Sequence, residues 1–357
     1  MNDEWLIYRG VGEPHDGIDA LPDPPPWRDF DGGPVGDAGG TGTGGAALAA
    51  DGNIARRLGA HRQAAELHRP EPEELEAVNA ALYLRRPLLV TGFPGTGKST
   101  LAHAVAHELK LGRVLRWPVV SRTVLQDGLY RYDAIARLQD VQLAASGAAG
   151  SGGGAGGVGA GGTGGAGGVP GIGKYIRLGP LGTALLPSER PRVLLIDELD
   201  KSDIDLPNDL LNVLEEGEFT LPELERVADT EPEVRVLTDD GAKAVVRDGR
   251  VRCRAFPFIV LTSNGERDFP AALLRRCIQL KLGQPGEKRL ATMVRAHLGE
   301  EAARLGADLI REFLTRSQSE LVAADQLLNA IYLTHHASPP TREDLADLLI
   351  QRLDRPR

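Results

Sequence analysis

Three short, unbroken apolar runs punctuate the chain, and each closes on polar residues. They are Pro87-Leu88-Leu89-Val90 ahead of Gly92, Val193-Leu194-Leu195-Ile196 ahead of Asp197 and Glu198, and Phe258-Ile259-Val260-Leu261 ahead of Thr262, Ser263 and Asn264. Runs of this length without alternation predict strands buried on both faces, as in a parallel sheet covered by helices. Elsewhere the period changes. Leu101, Val105 and Leu109 recur at helical spacing after the first run. Val234 to Leu237, Ala244 to Val246 and Val251 to Cys253 are separated by Asp239-Asp240-Gly241 and Asp248-Gly249, which predicts a hairpin or small meander. After Pro285, three groups (Leu309, Ile310, Phe313 and Leu314; Leu327, Leu328 and Ile331; Leu345, Leu348, Leu349 and Leu353) each mark one helical face. The pattern predicts an α/β domain built on a parallel sheet, followed by an all-α lid.

The polar ends of the runs carry the candidate chemistry. Gly92-Phe93-Pro94-Gly95-Thr96-Gly97-Lys98-Ser99 fits the phosphate-binding pattern GxxxxGK[ST], and it lies between a predicted strand and a predicted helix. Glycines let backbone N–H groups close around a polyphosphate, and the helix N-terminus adds partial positive charge. Gly92, Pro94, Gly95, Thr96, Gly97, Lys98, Ser99 and Thr100 are therefore the expected nucleotide-binding residues, with Lys98 on the outer phosphates and Ser99 on Mg²⁺. Asp197 and Glu198 end a strand at the edge where ligands of open α/β sheets gather. Asp197 is expected in the Mg²⁺ shell, and Glu198 is expected to orient and polarise the attacking water. Asn264 is placed to assist from an adjacent strand, and Arg275 and Arg276 close a short helix after Pro270. ATP and Mg²⁺ are the implied cofactors.

The order of these motifs resembles the AAA+ ATPases, particularly the MoxR branch, over roughly residues 70–357. The resemblance implies a phosphate loop at Gly92 to Ser99, an acidic pair at Asp197-Glu198, a polar sensor at Asn264, an arginine finger at Arg276 or Arg275, and a lid sensor at Arg342. Arg276 is the better finger, because the family's Leu-Asp-Arg-Phe aligns with Leu274-Arg275-Arg276-Cys277. Gly179-Pro180-Leu181 and Leu214 to Leu221 also resemble MoxR-type segments. There are departures. Leu199-Asp200-Lys201 stands where the family carries Asn-Arg, and Ser338-Pro339-Pro340 replaces Ser-Pro-Arg, which makes Arg342 a substitute. The resemblance further implies a homo-oligomeric, hexameric ring and a protein client.

Two low-complexity stretches interrupt this frame. Residues 1–69 form a Pro- and Gly-rich stretch whose composition predicts an unattached disordered tail. The alternative is docking of part of it, since Trp5, Tyr8, Trp27 and Phe30 are concentrated there. Residues from about 146 to 173 are nearly all Gly, Ala and Ser and predict a flexible insertion, with Tyr132 to Val141 and Lys174 to Leu178 as ordered stems. The expected division is thus 1–69 tail, 70–284 nucleotide-binding domain and 285–357 lid.

Lys and Arg total 41 against 50 Asp and Glu, a net charge of −9, which argues against a general attraction to nucleic acid. Cys253 and Cys277 lack metal-ligand spacing, no basic-then-apolar leader opens the sequence, and no apolar run reaches membrane-spanning length. A cytoplasmic protein without membrane insertion is expected. The function that fits is ATP hydrolysis coupled to remodelling or activation of a protein client. Two rivals are a nucleic-acid-directed motor of a restriction or defence system and a nucleotide-gated scaffold in a bacterial conflict or signalling system.

Overall fold

The computed structural model describes residues 5–33, 68–150, 169–317 and 324–336. In chain order, α1 (Pro72–Leu84), β1 (Leu88–Gly92), α2 (Lys98–Glu108), β2 (Val114–Pro118), α3 (Leu125–Leu129), β3 (Tyr130–Tyr132) and α4 (Ala134–Gly150) come first. Next are β4 (Ile176–Leu178), α5 (Pro180–Ala184), β5 (Val193–Asp197), α6 (Asp205–Glu216), β6 (Glu218–Thr220) and α7 (Pro222–Glu225). Then follow β7 (Glu233–Leu237), β8 (Lys243–Arg247), β9 (Arg250–Arg252), β10 (Phe258–Ser263), α8 (Ala271–Arg276) and β11 (Ile278–Leu282). The last helices are α9 (Glu287–Leu298), α10 (Glu300–Leu305), α11 (Ala307–Ser317) and α12 (Ala324–His336).

The main sheet is parallel, in the order β11-β1-β10-β5-β2. Its register explains why the three runs are unbroken. Leu194 and Ile196 enter one core with Leu115, Ile259 and Leu261, whereas Val193 and Leu195 enter the core on the opposite face with Leu88, Val90 and Val260. Alternate side chains point to opposite faces, so a strand covered on both sides needs apolar residues at every position. The sheet is the middle of three layers. β2 and β11, at its edges, alternate buried and exposed positions instead.

A second sheet, ordered β3-β4-β7-β8-β9-β6, lies over the core that contains Leu178, Val234, Val236 and Val246. The two turn signals fall between β7, β8 and β9, as the sequence predicts, and β3 pairs antiparallel with β4 at the base of the glycine-rich insertion. Helices α9 to α12 enclose their own core of Leu290, Val294, Ile310, Phe313, Leu327 and Ile331. Among the described residues, no helix is long and apolar enough to cross a membrane.

The N-terminal stretch differs from the expectation of an unattached tail over residues 5–33. Ile7, Tyr8, Ile18 and Phe30 are buried in the two cores that flank the main sheet. Asn79 of α1 accepts the N–H groups of Ile7 and Tyr8 at 2.7 and 3.0 Å and donates to the Tyr8 carbonyl at 2.8 Å. Glu108, at the end of α2 and 1% exposed, accepts the N–H groups of Arg9, Gly10 and Gly12 at 2.7 to 3.0 Å. Average composition hides this, because a few apolar side chains suffice when buried polar partners satisfy the backbone between them. Residues 34–67, 151–168 and 337–357 lie outside the described residues, and with them most of the insertion, Arg342 and the Leu345 to Leu353 face.

Candidate nucleotide site

The phosphate loop turns between β1 and α2 on glycines at positive φ. Gly97, at φ 91°, forms the N-cap of α2, a conformation that would strain any other residue. Lys98 follows it and is 7% exposed. Its ammonium donates to the carbonyls of Gly92 and Phe93, both at 2.8 Å, and to Asn264 Oδ1 at 2.7 Å. Thr96 is buried, with its hydroxyl donating to the Phe93 carbonyl at 2.9 Å, while Phe93, Pro94 and Gly95 at the tip are exposed. Burial lowers the Lys98 pKa, and the nearby Asp200, Asp197 and Glu198 oppose that shift.

Asp197 ends β5 directly below the loop. Its Oδ1 accepts the hydroxyls of Ser99 and Thr262, each at 2.8 Å, and its Oδ2 lies 2.6 Å from Arg116 Nη2 of β2. Burial alone would raise this carboxyl, but the hydrogen bonds from Arg116, Ser99 and Thr262 and the Arg116 charge hold it below the ordinary carboxylate range. Ser99 and Asp197 thus present hard oxygen ligands side by side, a donor set that suits Mg²⁺. Glu198 adopts the left-handed conformation, with φ 62° and ψ 48°. Its N–H donates to Thr262 Oγ1 at 2.8 Å, and its carboxylate is exposed enough to pair with Lys201 at 2.8 Å. A non-glycine residue in that conformation is held by its surroundings, and such strain clusters at functional sites. Asp200 fixes the loop after β10 by accepting the N–H groups of Asn264 and Glu266 at 2.9 and 3.1 Å.

The structure therefore brings together Gly92, Thr96, Lys98, Ser99, Asp197, Glu198 and Asn264. It holds the two arginines elsewhere. Arg275 is exposed, its carbonyl accepting from Arg86 at 3.2 Å, and Arg276 pairs with Glu215 of α6 at 2.8 Å. The N-terminal segment reaches the same corner. Arg28, 5% exposed, donates to the carbonyls of Arg85, Leu214 and Glu215 and lies 4.9 and 4.7 Å from the ring centroids of Phe30 and Phe256.

Three participants escape sequence reading. A cavity of about 320 Å³ opens between the phosphate loop and α9, lined by Thr96, Gly97, Thr100, Arg289, Met293 and His297. Arg289, in its lining, donates to the Thr96 carbonyl at 3.3 Å and to buried Glu74 of α1 at 2.5 Å. His68 Nε2 stands 3.2 Å from the other Glu74 oxygen, near enough for an ion pair though not aligned as a hydrogen bond. Burial would raise Glu74, but His68 and Arg289 together hold its carboxyl below the usual range. Neither Arg289 nor Glu74 lies in a motif, and Arg116 stands out only as a charge within a largely apolar strand.

A phosphate loop at the edge of a parallel sheet, an acidic strand end beside it and a helical lid over one side define a P-loop nucleotide-binding protein. The chain belongs to the AAA domain family, dynein-related subfamily, whose model matches residues 87–277, more than half of its length. AAA domains are nucleotide-hydrolysing motors, so the general class is an ATPase. Among similar solved structures is NtrX from Brucella abortus in complex with ADP, at 14% identity and a TM-score of 0.42, covering 84% of this chain and 58% of that one. PCH-2 of C. elegans is another, at 15% identity and a TM-score of 0.35, covering 84% and 69%. The chain thus spans less than two thirds of NtrX. No curated protein matches its sequence.

Proposed function

We propose that this AAA protein is a MoxR-like ATPase that hydrolyses ATP in a homo-oligomeric, hexameric ring and uses the cycle to remodel or activate a protein client. The observation that carries the reading is the convergence of Lys98, Asn264, Ser99 and Asp197 at one strand edge, with Lys98 and Asn264 2.7 Å apart and Ser99 and Asp197 2.8 Å apart. Those are the groups an ATP γ-phosphate and its cation would separate. Lys98 would exchange the Gly92 and Phe93 carbonyls for phosphate oxygens, and Asn264 would turn to the attacking water. Ser99 and Asp197 would hold Mg²⁺, which, when bound, neutralises charge on the phosphates. Glu198 orients and polarises the water, provided that Lys201 releases it. The nucleotide base would occupy the cavity lined by Thr100, Met293 and Arg289.

The MoxR assignment draws support from Gly179-Pro180-Leu181 at the start of α5, from the stem that β3 and β4 make for the glycine-rich insertion, and from the β7-β8 hairpin ahead of β10. Arg276 is the finger in this reading. It would leave Glu215 and meet transition-state charge at a neighbouring protomer's ATP. The test is size measurement with and without a non-hydrolysable ATP analogue, followed by turnover per protomer across protein concentrations. Assembly with the analogue and specific activity that rises with concentration are expected. Equal activity from an isolated monomer would defeat the reading.

A further inference from the structure

The chain is acidic overall, with a net charge of −9, yet four arginines line one cleft of about 480 Å³ beside β2, β3 and β4. Arg116 comes from β2, Arg122 from the loop after it, Arg131 from β3 and Arg177 from β4. Arg131 and Arg177 stand directly opposite each other in the antiparallel β3-β4 register, and both are exposed. Like charges in that relation destabilise a strand pair. An exposed position has no packing need for arginine, so the cost calls for an anion that offsets it. The acids in the cleft answer only part of the charge. Arg131 Nη2 lies 3.5 Å from Asp127 Oδ1, whereas Arg177 donates to the backbone carbonyl of Asp239 at 3.4 Å and feels the Asp239 carboxylate only at longer range. Arg122 is exposed on the rim, and Arg116 is engaged by Asp197.

We propose that this cleft docks an acidic segment of a protein client, with client carboxylates paired by Arg122, Arg131 and Arg177. Planar guanidinium groups bind carboxylates through two parallel hydrogen bonds, and their weak hydration favours such pairs at interfaces. Val120, 62% exposed, also lines the cleft and offers apolar contact beside the charges. A nucleic-acid strand fits less well, because single-strand grooves stack bases on exposed aromatic rings, and Trp117, the aromatic residue lining this cleft, is 4% exposed. The inference deepens the client-remodelling reading. Because docking is measured without turnover, its failure is distinct from a failure of hydrolysis or assembly.

The test is fluorescence anisotropy of a labelled glutamate-rich peptide against the full chain, beside a single-stranded oligonucleotide of equal length and charge. Peptide binding that weakens with salt is expected, along with oligonucleotide binding at least about tenfold weaker. The Arg131→Ser/Arg177→Ser variant should lose about tenfold or more in peptide affinity, in line with loss of charge-assisted hydrogen bonds. Arg122→Ser, at an exposed loop position, should lose about threefold and supplies a readout if the double variant fails to fold. An undetectable wild-type complex, unchanged affinity in Arg122→Ser and in the double variant, or an oligonucleotide bound as tightly as the peptide would each overturn the proposal.

Discussion

At the carboxyl edge of the main sheet, the site residues arrive in a few contiguous stretches, each delivered by a buried strand or by the loop that leaves it. The N-terminal arm over residues 5–33 is built the other way. It is fastened by isolated polar residues far off in sequence: Asn79 and Glu108 grip its backbone, and its own Arg28 reaches the carbonyls of Arg85, Leu214 and Glu215. One region is specified by local pattern, the other by polar satisfaction at a distance. The difference predicts how each fails. Damage at the sheet edge should abolish chemistry in a folded protein, and damage to the arm's fastenings should loosen structure before it touches chemistry.

The largest expected effect belongs to Arg276→Ala, which should bind fluorescent ATP analogue normally yet lose turnover by about 10³-fold or more, the range that arginine fingers contribute. Steady-state turnover beside a binding titration checks this, and equal turnover removes Arg276 from the chemistry. Glu198→Gln should retain ATP on the protein through rapid quench and filtration; ordinary release of ADP would remove Glu198 from water positioning. The arm comes next. Glu108→Ala strands three backbone donors, and a buried unsatisfied group costs about 1–3 kcal/mol. Chemical denaturation should register a loss of about 3 kcal/mol, with proteolysis opening near residues 5–33. An unchanged midpoint would mean that the arm is not held by Glu108.

Arg289→Ala should weaken nucleotide binding by roughly threefold to tenfold, because it removes the link from the lid to Thr96 and Glu74. Isothermal titration would show whether the lid contact matters at all. The mildest effect is on acid stability. Glu74 and Asp197 titrate lower in the folded chain than the unfolded values near about 4. As pH falls, the unfolded chain takes up those protons first, so stability present at neutral pH is lost as pH drops through that region and below it. Urea midpoints should decline below about pH 5, and Glu74→Gln should decline less steeply.

Sequence pattern carried the central strands, the phosphate loop, the acidic pair, the polar strand end at Asn264 and the β7-β8-β9 turns, because each is encoded within a few adjacent residues. It could not carry the Arg116 pair with Asp197, the Arg289 bridge to Glu74 or the Glu108 grip on the arm. Those depend on which helix faces which strand, and a lone charged residue in an apolar stretch gives no hint of its partner. The arm is hidden from composition for a related reason: Pro and Gly dominate its average, whereas Ile7, Tyr8, Ile18 and Phe30 decide its fate one residue at a time.

The account rests on ATP being bound by one protomer and attacked with help from the next. Mixing two inactive variants tests that most directly: Lys98→Ala, with an empty site and an intact Arg276, and Arg276→Ala, with an intact site and no finger. Activity should appear on mixing, at a fraction of wild type set by how often an intact site meets an intact finger. A mixture that stays as inactive as its two components, although the subunits co-assemble, would contradict it.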